Sequence, residues 1–133
     1  ENNIDLEIES AYRSYDKQKI IYEETLKEKD LVYVNKYVAK PGYSEHQTGL
    51  AVDLAIFKNG DYLINDDFIK EKDICNFIKE NCYKFGFILR YPFDKEKITG
   101  YNYEPWHLRY VGNVAKSIYN NDITLEEYLN NVK

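Results

Sequence analysis
The only two histidines of the chain, His46 and His107, each have carboxylates close by in sequence. His46 stands in Ser44-Glu45-His46-Gln47-Thr48-Gly49-Leu50-Ala51-Val52-Asp53, and His107 closes Glu104-Pro105-Trp106-His107. Two imidazoles and one carboxylate from separated loci are the donor set of a catalytic Zn²⁺, which takes three protein ligands and keeps one position open. His46, Asp53 and His107 are the candidate ligands. Glu104 falls near them as a non-ligand, the place of a general base. Either histidine alone reads as a satisfied core residue. Both together, with Asp53 and Glu104 at these spacings, point to zinc-dependent hydrolysis of a peptide.

These residues need elements to position them. After Gly49, the run Leu50 to Phe57 is apolar and partly β-branched and is bounded by Asn59-Gly60, which predicts a largely buried strand with Asp53 in its middle. A carboxylate there is costly to desolvate, and a cation offsets that cost. Gly49 supplies a turn of positive φ that folds His46 back toward Asp53. Trp106 to Val111 alternates as a second strand, with His107 on the face opposite Trp106 and Leu108. Pro105 holds Glu104 extended, so the Glu104 to His107 interval does not close into a helical turn.

The pattern Ser-x-His-x-x-Gly-x-Ala-x-Asp followed by Glu-x-Trp-His resembles the zinc D-alanyl-D-alanine carboxypeptidases of the VanY type and the related L,D-carboxypeptidases that trim peptidoglycan stem peptides. The resemblance runs from Ser10-Ala11-Tyr12-Arg13-Ser14 through Tyr37-Val38-Ala39-Lys40-Pro41-Gly42 to Trp106-His107-Leu108-Arg109-Tyr110, several motifs in the right order. It implies His46, Asp53 and His107 as zinc ligands, Glu104 as catalytic acid/base, and Arg13 as a catalytic and substrate-contacting residue. It further implies Gln18, Ser44 and Tyr91 as substrate contacts. A guanidinium at Arg13 suits a peptide substrate because its planar fork holds a carboxylate or carbonyl at two points. For Ser44 a loop-holding hydrogen bond is the competing role; for Tyr91 it is packing, and Arg90 is expected to pack.

The expected function is hydrolysis of the C-terminal D-Ala-D-Ala bond of peptidoglycan stems or their precursors. Release of D-Ala from tetrapeptide stems is the alternative, and a non-catalytic zinc-containing peptidoglycan-binding module, as in the hedgehog signalling domain that resembles this fold, is a reading of a different class. The resemblance places the chain outside the bacterial cytoplasm, at the cell surface or anchored to the membrane through a segment not present here, and acting as a monomer.

Composition narrows the field. At 133 residues the length is that of a single domain, 1–133, large enough for its own core. Lys and Arg number 18 against 23 Asp and Glu, for a net charge of -5 with no basic block, which argues against nucleic acid and anionic membrane surfaces as partners. No apolar run approaches the 18 residues or so of a membrane span. The chain begins at Glu1 and has no methionine, so it reads as a trimmed piece and the lack of an export signal carries no weight. Fourteen tyrosines occur alongside abundant Ile, Lys and Asn, as codon bias would produce, and are expected to pack rather than to stack on sugars.

The remaining elements follow in order. Ile4 to Glu9 alternates as a half-buried strand. Ser14 caps a helix from Tyr15 whose Ile20, Ile21 and Leu26 are expected to face the core. Asp30 caps a shorter helix over Leu31 to Val38. Asn59-Gly60 turns a hairpin into Asp61 to Ile64. One long helix is expected from about Asp67 to Lys84. Within it Cys75 and Cys82 stand about 10.5 Å apart, beyond the roughly 7 Å limit for a disulfide, and are free thiols. Phe87 to Tyr91 is a strand, and Pro92 to Gly100 a charged connection long enough to rim the site. A helix over Gly112 to Asn120 and a capping box at Thr124-Leu125-Glu126-Glu127 complete an α+β fold: a small, mostly antiparallel sheet flanked by helices, like that of hedgehog and the D,D-peptidases.

Overall fold
The structure, a computed structural model, describes residues 4–131. In chain order it comprises β1 (Leu6–Ser10), α1 (Tyr15–Glu28), α2 (Leu31–Tyr37), a 3-10 turn (Glu45–Thr48), β2 (Ala51–Lys58) and β3 (Asp61–Leu63). Then come α3 (Asn65–Lys70), α4 (Lys72–Asn81), a second 3-10 turn (Cys82–Phe85), β4 (Phe87–Tyr91), α5 (Glu96–Thr99) and β5 (Glu104–Tyr110). A third 3-10 turn (Gly112–Val114), α6 (Ala115–Asn120) and α7 (Leu125–Asn131) close the chain. The strands form one antiparallel sheet in the order β1-β2-β5-β4, with β3 paired to the far half of β2.

Local chemistry accounts for most boundaries. The Ser14 hydroxyl accepts from Lys17 N at the start of α1, and Asp30 accepts from Tyr33 N at the start of α2. Asn59 and Gly60, both at positive φ, turn the β2–β3 hairpin. In the capping box that opens α7, Thr124 N donates to Glu127 and Glu127 N donates to the Thr124 hydroxyl.

One face of the sheet packs on α3 and α4. Ile56 and Leu108 meet Phe68, Cys75, Ile78 and Cys82 there, with Val52, Leu54 and Trp106 alongside. Behind β4 a smaller cluster joins Ile88 to Ala115 and Ile118 of α6 and to Leu125 and Tyr128 of α7. Cys75 and Cys82 are both buried and free.

Three sequence expectations need correction. The helix expected over Asp67 to Lys84 is broken at Glu71, whose ψ of 66 lies outside the helical range, and its last turn is 3-10. Lys58, at the end of β2, grips the Glu71 carboxylate at 2.9 Å, and the break lets Phe68 on one helix and Ile78 on the other both face the core. On α1, Ile20 and Leu26 are exposed, and the residue buried is Gln18, because this helix borders the site rather than the core. The stretch Gly112 to Asn120 opens as a 3-10 turn and is α-helical only from Ala115.

Candidate active site
Asp53 and His107 are direct cross-strand partners on β2 and β5. Their neighbours Val52, Leu54 and Leu108 fill the helix-covered core, so strand alternation turns both polar side chains to the opposite face. His46 comes from the 3-10 turn just before β2, which ends in Gly49 at φ 74. Glu104 lies three residues from His107, and a regular strand would put the two on opposite faces. They share a face because β5 is irregular here: Pro105, Trp106 and His107 stand opposite Arg90 alone, between the pairs Leu89–Leu108 and Tyr91–Glu104.

A cleft of about 440 Å³ results, and all eight residues expected from the sequence line it: Arg13, Gln18, Ser44, His46, Asp53, Tyr91, Glu104 and His107. Tyr33, Tyr37, Asn65, Asp66 and Tyr101 also line its walls. The connection Pro92 to Gly100 is not among them; its Pro92, Phe93 and Lys95 border a separate cavity next to Tyr83 and Tyr119.

The donor set fits a zinc ion. One donor atom from each of His46, Asp53 and His107 lies within 4.8 Å of the others. His46 Nε2 is 3.1 Å from one Asp53 oxygen and His107 Nδ1 is 2.8 Å from the other. Tetrahedral bonds of about 2.0–2.1 Å place donors roughly 3.4 Å apart, so a small adjustment accommodates the ion. The outer nitrogen of each ring is already engaged: His46 Nδ1 meets the Ala11 carbonyl at 2.7 Å, and His107 Nε2 meets Glu45 at 2.8 Å. Those acceptors keep a proton on the outer nitrogen, so that an ion displacing the hydrogen bonds to Asp53 would find Nε2 of His46 and Nδ1 of His107 available as ligands.

Charge in the cleft is uneven. Burial opposes ionisation of Asp53, but hydrogen bonds from His107 and His46 outweigh it and hold the carboxyl well below the usual range. Burial pushes Glu104 up to about 8; the charges of Asp53 and Glu45 add to the rise, and His107 and Arg13 offset part of it. Two buried carboxyls in one cleft thus have opposite proton affinities, set apart by their surroundings.

The family model described as VanY: D-alanyl-D-alanine carboxypeptidase matches residues 1–113. The chain belongs to this family. YodJ of Bacillus subtilis (strain 168) is 51% identical over 125 residues, which is 93% of this chain and 45% of that protein. The solved LdcB LD-carboxypeptidase superposes with a TM-score of 0.84 at 50% identity, covering 98% of this chain and 60% of that one. A vancomycin-resistance D,D-pentapeptidase VanY variant in complex with Zn(II) gives a TM-score of 0.81 at 38% identity, over 96% of this chain and 73% of that one. This VanY-family chain thus spans about half the length of its curated relative.

Around the VanY-family cleft, several residues do more than their sequence motif indicates. The Arg13 guanidinium donates to Gln18 at 2.9 Å and to Ser10 at 2.8 Å, and it approaches Asp53 at 3.6 Å. Gln18 is 2% exposed, and its amide nitrogen donates to the Ala39 carbonyl at 2.7 Å. Gln18 is thus anchored at its nitrogen by Ala39 and holds Arg13 through its oxygen. The Ser44 side chain makes no capping hydrogen bond to the turn that follows it. Tyr91 stacks on the His107 ring at 5.0 Å and 28°.

Glu45 is the residue the motif reading passed over. It sits between Ser44 and His46, and nothing local marks it, because its partners Arg90, His107 and Arg109 are all more than forty positions away. Arg90 packs as expected, over the Tyr91 ring and outside the cleft, and also donates to Glu45 at 3.1 Å.

Proposed function
We propose that the chain is a zinc-dependent D,D-carboxypeptidase that hydrolyses the C-terminal D-Ala-D-Ala bond of peptidoglycan stem peptides or their precursors. The observation that carries this reading is the convergence of His46 Nε2, the Asp53 carboxylate and His107 Nδ1 in a cleft that also holds Glu104 and Arg13. The family's description supplies the substrate class. Action outside the membrane of a bacterium follows from that substrate; among the described residues no helix is long and apolar enough to cross a membrane. Residues 1–133 would act as one catalytic domain and as a monomer.

His46, Asp53 and His107 would hold the ion. When bound, zinc polarises the scissile carbonyl and acidifies a water molecule. Glu104 would accept the attacking water's proton on a carboxylate oxygen as the water oxygen bonds to the scissile carbonyl carbon, and would return it to the amide nitrogen as the C–N bond breaks, so that D-alanine leaves as the neutral amine. A divalent ion held there would favour the ionised form of Glu104, and burial favours its return to the acid. Arg13 binds the substrate carboxylate or the developing oxyanion with guanidinium N–H groups, held to that task by Gln18 and Ser10. Ser44 offers its hydroxyl to the peptide from the same wall. The Tyr91 ring beneath His107 keeps water from that side of the imidazole.

Release of D-Ala from tetrapeptide stems is a second reading, favoured by the 50% identity to the LdcB LD-carboxypeptidase. Both are tested by incubating the protein with penta- and tetrapeptide stems, with and without a chelator, and following free D-alanine. Release from the pentapeptide alone, abolished by chelation and restored by zinc, is the expected result. Release from the tetrapeptide alone would replace the first reading by the second. No release from either, by protein that holds zinc, would leave a binding module.

A further inference from the structure
The Glu45 carboxylate divides its two oxygens. Oε1 receives only His107 Nε2, at 2.8 Å. Oε2 receives two guanidinium groups, Arg90 Nε at 3.1 Å and Arg109 Nη1 at 2.9 Å.

Arg90 is itself held from behind. Its two terminal nitrogens meet the Glu126 carboxylate as a fork, Nη1 to Oε2 at 3.0 Å and Nη2 to Oε1 at 2.6 Å. Arg90 meets Glu45 through Nε–H alone. A guanidinium released from Glu126 is free to turn and grip Glu45 through two nitrogens at both oxygens, which would compete with His107 for Oε1. Glu126 sits in the first turn of α7, fixed by the Thr124–Glu127 capping box and by Leu125 and Tyr128 packed against Ile88. It also lies beyond residue 113, where the matched family span ends.

We infer that α7 reaches the metal site through a charged relay, Glu126–Arg90–Glu45–His107, in which Glu126 restrains Arg90 so that Glu45 stays free to orient His107 Nδ1 toward the ion. The inference rests on the proposed zinc site. Glu45, Arg90 and Glu126 are positioning residues: none needs to touch substrate, and each acts through the next. A partner on the outer nitrogen of a ligating histidine is worth about 10–100-fold in metal affinity, so Glu45→Gln should weaken zinc binding by that factor. Glu126→Gln, two steps further out, should weaken it by about 3–10-fold, less than the direct partner.

The test is zinc affinity by competition with a chromophoric chelator, for the parent chain, Glu45→Gln, Glu126→Gln and the double variant, with visible spectra of the cobalt-substituted forms. The expected results are the two single losses, a shifted cobalt spectrum in both, and no further loss when Glu126→Gln is added to Glu45→Gln, because the relay is already cut. Arg90→Lys, which keeps charge but lacks the fork, should repeat the Glu126→Gln loss. Parental affinity and spectrum in Glu126→Gln would overturn the relay, as would an equal loss in both backgrounds; zinc binding by the parent would leave the proposed function standing in either case. A parent chain that binds no zinc would overturn both. Melting temperatures of the chelator-treated variants separate a fold defect from the relay, since the coupling is read only on folded protein.

Discussion
Replacing Glu104 by Gln separates proton transfer from metal binding and from folding. Glu104 is 6% exposed, and burial, with the charges of Asp53 and Glu45, raises its carboxyl from 4.5 to about 8 despite His107 and Arg13. At pH 7 the folded chain without metal therefore keeps a proton that the unfolded chain has released, and stability falls as pH rises from the unfolded value through the folded one. At roughly 1.4 kcal/mol per pH unit between the unfolded value and pH 7, the penalty is about 3 kcal/mol. Glutamine keeps the shape and has no charge to suppress. Chelator-stripped Glu104→Gln should thus melt roughly 10 °C above the stripped parent at pH 7, with the gap closing toward the unfolded pKa. Turnover should drop about 10²–10⁴-fold, the contribution of a positioned acid/base, while zinc content stays parental because no ligand has changed. Calorimetry at two pH values, metal analysis and a D-alanine release assay read the three effects. Parental turnover would refute the role given to Glu104, and a stripped variant melting at or below the parent at pH 7 would refute the reading of its burial.

Other perturbations probe separate parts of the molecule. His46→Ala should lose both zinc and turnover, since it removes a ligand rather than the base; metal analysis after dialysis decides. Arg13→Lys keeps the charge but not the fork that joins Gln18, Ser10 and substrate, and the loss of a charged hydrogen bond worth about 1.5–3 kcal/mol should lower kcat/KM about 10–100-fold with zinc affinity unchanged. Phe68→Ala, at a fully buried position between β5 and the two core helices, should cost about 3–5 kcal/mol in a denaturant titration. Burial pushes the Cys82 thiol up to about 11, so at pH 8 its labelling in the native protein should be at least about 100-fold slower than after unfolding.

What the amino-acid pattern exposed was whatever is encoded within one turn or one strand. Ser14, Asp30, Asn59-Gly60 and the Thr124–Glu127 box name their structures locally, through hydrogen bonds spanning at most three residues, and each forms as expected. The β4 boundaries, Phe87 to Tyr91, coincide with the apolar run. The break at Glu71 is not marked locally, because what accompanies it is tertiary: Lys58, 13 positions away, pairs with Glu71, and Phe68 and Ile78 both face the core. The exposed Ile20 and Leu26 were misread for a related reason: an apolar spacing shows that a helix has a face, not what lies opposite it. Here the opposite surface is a cleft, and the buried side chain is the polar Gln18.

The site shows the same division between short-range and long-range information. His46, Asp53, Glu104 and His107 are visible because histidine is scarce in this chain and each carboxylate lies within seven positions of a histidine. Their convergence depends on irregularities that a period of two does not reveal. One shift of register, between Ile8 and Ser10, sets Ser10 against Asp53 and brings the Arg13 fork to the carboxylate. The other, between Leu89 and Tyr91, brings Glu104 round to the face of His107. A sheet kept in regular register would retain the same residues, yet Glu104 would point into the core against Phe68 and Trp106, where a carboxylate has no partner. The irregularity opposite Arg90 is therefore what brings Glu104 into the proposed site, and deleting Pro105 and Trp106, which restores a one-to-one ladder while keeping His107, should abolish turnover and leave His46 and Asp53 in place.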